Sequence, residues 1–281
     1  MSSLLHKTAK TLIRTATRYE HYHWALMERL RERLYTSFAE NHVFDIKSDD
    51  MAFKMTFKDY PLGRTIVERI EARREPETVA SIKALVRKGD RVLELGGAYG
   101  YFTTIMALCT GETGKVVSIE CTPNNFEILK SNMELNNLKH VSLHNVFLTD
   151  DDGGTVEFTP SDTDFYGATD RVEKGERAVD SSAKLVQVPT VRLSNLLKEI
   201  SYKPQRIFMD IEGFEVCVLE DLSRSGVLKE CRPSILFETH EMFYKPGKGL
   251  DYIRDILTSN GYYCRELSGN WMCHHEQDPI A

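Results

Sequence analysis

The run Arg91–Leu95 is apolar apart from Arg91 and Glu94. It passes straight into Gly96-Gly97-Ala98-Tyr99-Gly100, and the chain then reads as an apolar helix from Tyr101 to Cys109. A strand that turns within five residues, four of them small, into a helix constrains the fold strongly. The helix must pack back over the strand, so the next strand lies beside the first and parallel to it.

The residues that follow repeat the pattern. Val116–Glu120 reads as a strand, Asn124–Asn136 as a helix and Val141–Val146 as a strand. After a polar stretch come a strand at Ile207–Asp210, a helix at Phe214–Leu222, a strand at Ser234–Glu238 and a helix at Leu250–Ser259. Tyr262–Leu267 and Trp271–His274 close as a hairpin. The expected fold class is therefore α/β: a Rossmann-like, doubly wound, mostly parallel seven-stranded sheet with an antiparallel C-terminal hairpin. Pro76–Arg87 reads as a helix before the first strand, with Pro76 and Glu77 placed where a helix start favours them.

Residues 1–74 read as an N-terminal extension and 75–281 as the main domain. Residues 2–40 have helical periodicity with a basic face (Lys7, Lys10, Arg14, Arg18, Arg29, Arg31, Arg33). They suit a packing helix, a substrate lid, a homo-oligomer contact or an anionic surface. Short strands are expected within 41–60, a turn at Pro61-Leu62-Gly63 and a helix over Thr65–Arg74. Residues 151–185 are rich in Asp, Gly, Ser and Thr and break the strand–helix rhythm, as a binding loop or plain surface would.

The glycine turn carries chemistry as well as topology. Its spacing, Glu94-Leu95-Gly96 with Gly100 four residues on, does not fit the G-x-G-x-x-G of dinucleotide sites, which argues against a dehydrogenase. Small residues there let backbone N–H groups approach a ligand. An acid at the end of the first strand suits a cationic amino group and would repel a pyrophosphate. Glu120 ends the second strand, where a carboxylate can accept ribose hydroxyls.

With these two acids and the turn, Ile119–Phe126, Leu129–Leu138, Phe208-Met209-Asp210-Ile211-Glu212-Gly213-Phe214-Glu215 and Arg232–His240 resemble the FkbM methyltransferase family. The D-x-E-G-x-E element is the most distinctive part, and the likeness runs from about Glu75 to Leu267. It implies an S-adenosylmethionine (SAM)-dependent enzyme that methylates a hydroxyl of a small molecule, sugar or other natural product. By position, Glu94, Gly96, Gly97, Ala98 and Gly100 would face the methionine part of SAM and Glu120 its ribose. Cys121 with Asn145, Val146 and Phe147 would border the adenine. Cys121, Phe208 and Ser194 stand where the family tends to carry proline, lysine and aspartate.

A hydroxyl needs its proton removed during attack. The candidate bases lie at carboxyl ends of strands: Asp210 and Glu212 after one, Glu238 and His240 after the next. His240 or Asp210 is expected to act as base, with Glu212 orienting the acceptor; an imidazole of unperturbed pKa ~6.5 could accept a proton at neutral pH. Glu215 lies in a first helical turn, where the helix dipole favours an acid. No metal is assigned, although Asp210, Glu238 and His240 carry groups that suit divalent ions. Alternatives are N-methylation of a small amine, or a SAM-fold module that has lost its chemistry.

A net charge of −6 argues against nucleic acid as a partner. No apolar run is long enough to span a membrane, no secretory signal is evident, and a cytoplasmic location is expected. The six cysteines contain no C-x-x-C pair and read as buried reduced thiols.

Overall fold

The computed structural model describes residues 43–48, 50–57, 75–158, 186–267 and 269–277. The expected helices over 2–40 and 65–74, the turn at 61–63 and any oligomer contact they make lie outside those residues. The chain divides into a unit of residues 1–74 and a unit of residues 75–281. In the first, β1 (Phe44–Ser48) and β2 (Met51–Met55) form an antiparallel hairpin. Phe44, Ile46, Phe53 and Met55 alternate inward.

The second unit holds α1 (Pro76–Leu85), β3 (Arg91–Leu95), α2 (Tyr101–Thr110), β4 (Lys115–Ile119), α3 (Pro123–Leu135), β5 (Val141–His144) and β6 (Phe147–Leu148). Then follow β7 (Thr155–Phe158), β8 (Val186–Val191), α4 (Leu193–Glu199), β9 (Arg206–Met209), α5 (Glu215–Arg224), α6 (Val227–Cys231) and β10 (Ser234–Glu238). A single 3-10 turn, Glu241–Phe243, leads to α7 (Leu250–Ser259), β11 (Tyr262–Leu267) and β12 (Asn270–His275).

The seven-stranded sheet runs β11-β12-β10-β9-β3-β4-β5. The pairs from β10 to β5 are parallel, and β12 and β11 run antiparallel. This is the expected doubly wound sheet with its closing hairpin. On one face Leu93, Leu95, Ile207, Met209, Ile235 and Phe237 pack with Leu219 and Leu222 of α5 and Ile253 and Leu257 of α7. On the other, Phe102 of α2 meets Phe208 of β9 edge-on at 5.4 Å between ring centres. Each such fully buried side chain contributes roughly 1.5–3 kcal/mol. Phe208, where a lysine was the family's tendency, is thus a core residue.

Three expectations need correction. Residues 151–185 are not wholly irregular, because Thr155–Phe158 forms β7, which pairs with β8; residues 159–185 lie outside those described. The strand β8 and helix α4 were not foreseen, and with β6 and β7 they add a three-stranded sheet. The cysteines are not all reduced thiols, since Cys264 and Cys273 form a disulfide. The hairpin register sets these two directly opposite each other, with Cα atoms 4.1 Å apart.

Candidate functional site

Switch points of open parallel sheets bind ligands beyond the carboxyl ends of the strands. Here β3 leaves the sheet centrally, between β9 and β4, and opens into the glycine turn. Gly96 and Gly100 have φ of 91° and 89°, and Ala98 is also left-handed at 44°. A side chain at Gly96 would stand 1.9 Å from the Asp210 carbonyl oxygen, and one at Gly97 2.4 Å from Ser118 Oγ. The glycines therefore let the turn seat against the tips of β9 and β4.

The backbone N–H groups of this turn are directed into the protein. Those of Gly96 and Gly97 both donate to the Ile119 carbonyl at 2.9 Å, that of Gly100 to Gly97, and that of Ala98 to Glu120 Oε2 at 2.8 Å. Glu120 Oε1 accepts from the Thr122 N–H at 2.7 Å. Glu120 thus fixes both loops that flank it, and the Thr122 and Asn125 side chains also donate to its carboxylate. Burial raises its pKa against these hydrogen bonds. Asn145 donates to the carbonyls of Glu120 (2.7 Å) and Cys121 (3.0 Å), so it holds the β4 tip, with Phe147 buried nearby in the small sheet.

Glu94 is wholly buried beneath the turn. Its Oε2 accepts from Thr103 and Ser118 hydroxyls, each at 2.5 Å, while Oε1 is buried with no hydrogen-bond partner among the described residues. Burial pushes its pKa up to about 7, opposed by those two hydroxyls. A buried carboxylate oxygen without a donor among the described residues fits a bound ammonium group, and a carboxylate at the β4 tip, where Glu120 stands, suits the hydroxyl donors of a ribose. The pocket's own chemistry is therefore suited to SAM.

Beside this pocket stands a second acidic constellation. Asp210 follows β9 and bonds through its N–H to the Leu95 carbonyl at 3.0 Å. Glu212 (φ 52°) and Gly213 (φ 103°) are both left-handed, and the chain bends so that Glu212 faces back toward His240. Gly213 is required because a side chain there would meet Phe243 Cβ at 2.6 Å. His240, 8% exposed, places Nε2 3.2 Å from Glu212 Oε2 and 3.7 Å from Asp210 Oδ1. Its Nδ1 lies 2.9 Å from Oε1 of Glu215, itself fully buried.

Three of the expected catalytic residues thus converge. Glu238, half-buried at the end of β10, acts on Asp210 by charge. Burial raises the Asp210 pKa, and the charges of Glu238 and Glu212 raise it further. Burial alone would lower that of His240, but the bond to Glu215 and the surrounding carboxylates raise it above the ordinary histidine value. That shift runs against the expectation of a neutral imidazole ready to take a proton. Glu215 was read only as a helix-dipole acid; its bond to His240 crosses 25 residues, and the D-x-E-G-x-E spacing was the one signal for it. Thr103 and Ser118, which hold Glu94, were not foreseen.

Residues 91–264 match the family model described as the methyltransferase FkbM domain. A protein-L-isoaspartate O-methyltransferase of Thermotoga maritima is 41% identical over 80 residues, covering 28% of this chain and 24% of that protein. The enzyme of the same name from Methanococcoides burtonii is 32% identical over 125 residues, covering 43% and 56%. The chain thus spans about a quarter to about half the length of these relatives. Among solved structures, Aeropyrum pernix fibrillarin with natively bound SAM aligns with a TM-score of 0.45 at 12% identity, covering 83% of this chain and 98% of that one. An O-methyltransferase from Bacillus cereus in complex with SAH aligns at 0.40 and 15%, covering 71% and 78%.

Proposed function

Because the chain belongs to the FkbM methyltransferase family, a family of SAM-dependent enzymes, we propose that it methylates a hydroxyl oxygen of a small molecule, sugar or natural product. The observation that carries this reading is the contact between the two halves of the site. The Asp210 backbone lies directly against Gly96, so the acid cluster adjoins the cofactor turn. An acceptor held by Asp210, Glu212 and His240 would lie next to the methionine end of the cofactor pocket.

When bound, SAM supplies a sulfonium methyl that moves to an oxygen nucleophile in one displacement. Glu94 would bind the ammonium group and Glu120 the ribose, and Asn145 would keep the β4 tip in place for the adenine. Glu215 positions His240. The carboxylates at the mouth orient the acceptor hydroxyl and take up its proton as the methyl arrives. Alignment of nucleophile and methyl supplies much of the acceleration in such displacements.

The test is calorimetry with S-adenosylhomocysteine (SAH), followed by a screen of hydroxylated metabolites with labelled SAM. SAH should bind, and Glu120→Ala should weaken it. Methyl label should appear in an ether, not an amine. Failure of the intact chain to bind SAH at millimolar concentration would overturn the reading. Transfer to amines alone would replace the hydroxyl acceptor with a nitrogen one.

A further inference from the structure

We propose that Asp210, Glu212 and His240 form a binding site for a divalent, oxygen-seeking cation of the Mn²⁺ or Mg²⁺ type. This rests on the methyltransferase reading only for its consequence, that the cation's remaining positions take the acceptor oxygen. The site itself rests on the geometry of three side chains.

One ligand atom from each of the three lies within 4.8 Å of the other two. Ligands about 2.1 Å from such an ion stand about 3.0 Å apart at neighbouring octahedral corners and about 4.2 Å apart at opposite ones. The separations from His240 Nε2, 3.2 Å to Glu212 and 3.7 Å to Asp210, fall in that range. Three protein ligands leave the remaining octahedral positions for water or an acceptor oxygen.

The imidazole supplies an observation independent of the acids. Its Nδ1 is tied to the buried Glu215 carboxylate at 2.9 Å, and its Nε2 is directed at the two remaining oxygens. A carboxylate that holds the far nitrogen of a buried histidine is the usual outer partner of a metal-bound imidazole, fixing its tautomer and orientation. Glu215 belongs to α5 and His240 follows β10, so the fold brings these groups together from separate elements.

The charge balance points the same way. Among the described residues, Asp210 feels the negative charges of Glu238, Glu212 and Glu75, and His240 opposes them. An added dication, displacing the proton from Nε2 of His240, relieves this repulsion. Two carboxylates against one imidazole favour a hard, six-coordinate ion. Bound to it, a hydroxyl becomes easier to deprotonate.

The experiment uses the full chain, stripped with EDTA and saturated with SAH, titrated with MnCl₂ and followed by electron paramagnetic resonance of free Mn²⁺. One Mn²⁺ per chain should bind with a dissociation constant below about 1 mM. Glu212→Gln should weaken it at least about tenfold, and Glu215→Gln, which touches only the far ring nitrogen, by about tenfold. SAH affinity, measured alongside, certifies that each variant is folded; Asp210→Asn replaces any variant that fails this check. No saturable Mn²⁺ binding by the SAH-bound parent overturns the cation site and leaves the methyltransferase reading intact. Equal Mn²⁺ affinity in parent and folded variants also overturns it. Loss of SAH binding in the parent strikes at the methyltransferase reading instead.

Discussion

At the amino-terminal end of the parallel strands, Arg206 of β9 donates to Asp90 at 3.0 Å, to Ser234 Oγ at 2.9 Å and to the Gln205 carbonyl at 3.3 Å. Asp90 also accepts from the Arg87 N–H, and His274 reaches the same serine at 3.1 Å. At the carboxyl end of the same strands, Asp210, Glu212 and Glu215 crowd around the imidazole of His240, and Glu238 acts on Asp210 by charge. Both clusters are largely buried. One pairs a cation with an anion and supplies each with further hydrogen bonds; the other, among the described residues, sets several carboxylates against one imidazole. A buried pair is tolerated when charge and hydrogen bonds are matched. A cluster rich in carboxylates costs stability, and that excess suits a binding site for a cation or a reacting hydroxyl.

The largest effect that would break this contrast is Asp210→Asn. Turnover should fall by about a hundred- to ten-thousand-fold, the usual range for loss of proton-transfer catalysis. SAH affinity should hold and thermal stability should stay level or rise, because one repelling charge is removed. Undiminished turnover in Asp210→Asn would remove that residue from the chemistry. A fall in stability equal to that of a core mutation would place it with the structural cluster.

The opposite end should respond in reverse. Asp90→Asn leaves the Arg206 charge unpaired in a site where the two side chains are only 11% and 5% exposed. Denaturant titration should show a loss of about 3–5 kcal/mol, with turnover per folded molecule unchanged. Asp90→Leu combined with Arg206→Met should recover most of the loss, since a well-packed apolar replacement of a buried pair is often neutral. A double variant as unstable as the single one would mean that hydrogen bonding to Ser234, rather than charge pairing, holds this end.

The sequence displayed these two ends unequally. The sheet was readable wherever apolar runs are bounded by glycine or proline, and Ser234–Glu238 and Leu250–Ser259 have the bounds their patterns imply. By contrast β8 was hidden by Pro189, which argues against a strand yet sits opposite Thr155 in the ladder. The acids at strand tips were legible because the turn beside them fixes where strands end. Their partners were not. The bonds Glu215–His240, Glu94–Ser118 and Arg206–Asp90, and the Cys264–Cys273 disulfide, depend on helix docking and strand register, which no local pattern encodes. His240 shows the cost. Its type suggested a base, whereas the carboxylates around it, visible only once folded, favour its charged form.

Glu94 sharpens the comparison because it shares features of both ends. Two hydroxyls satisfy one of its oxygens, as in a structural cluster, and the other oxygen is buried with no donor among the described residues, as in a binding site. Its pKa rises on folding from 4.5 to about 7, mainly through burial. The folded state therefore holds this proton more tightly than the unfolded chain does. Stability contributed by the protonated form is fully present below pH 4.5 and is lost as pH rises through about 7, a decline of about 3 kcal/mol. Glu94→Gln cannot ionise, so without ligand it should flatten that decline and exceed the parent in stability at pH 8. If Oε1 receives the ammonium group of the cofactor, the same substitution should weaken SAH binding most at pH 8, where the parent carboxylate is charged. Stability and affinity then move in opposite directions in one variant, as measured by chemical denaturation and calorimetry. A Glu94→Gln protein that gains stability at pH 8 and binds SAH as the parent does would assign Glu94 to the support of the glycine turn, leaving Glu120 as the acid that meets the cofactor.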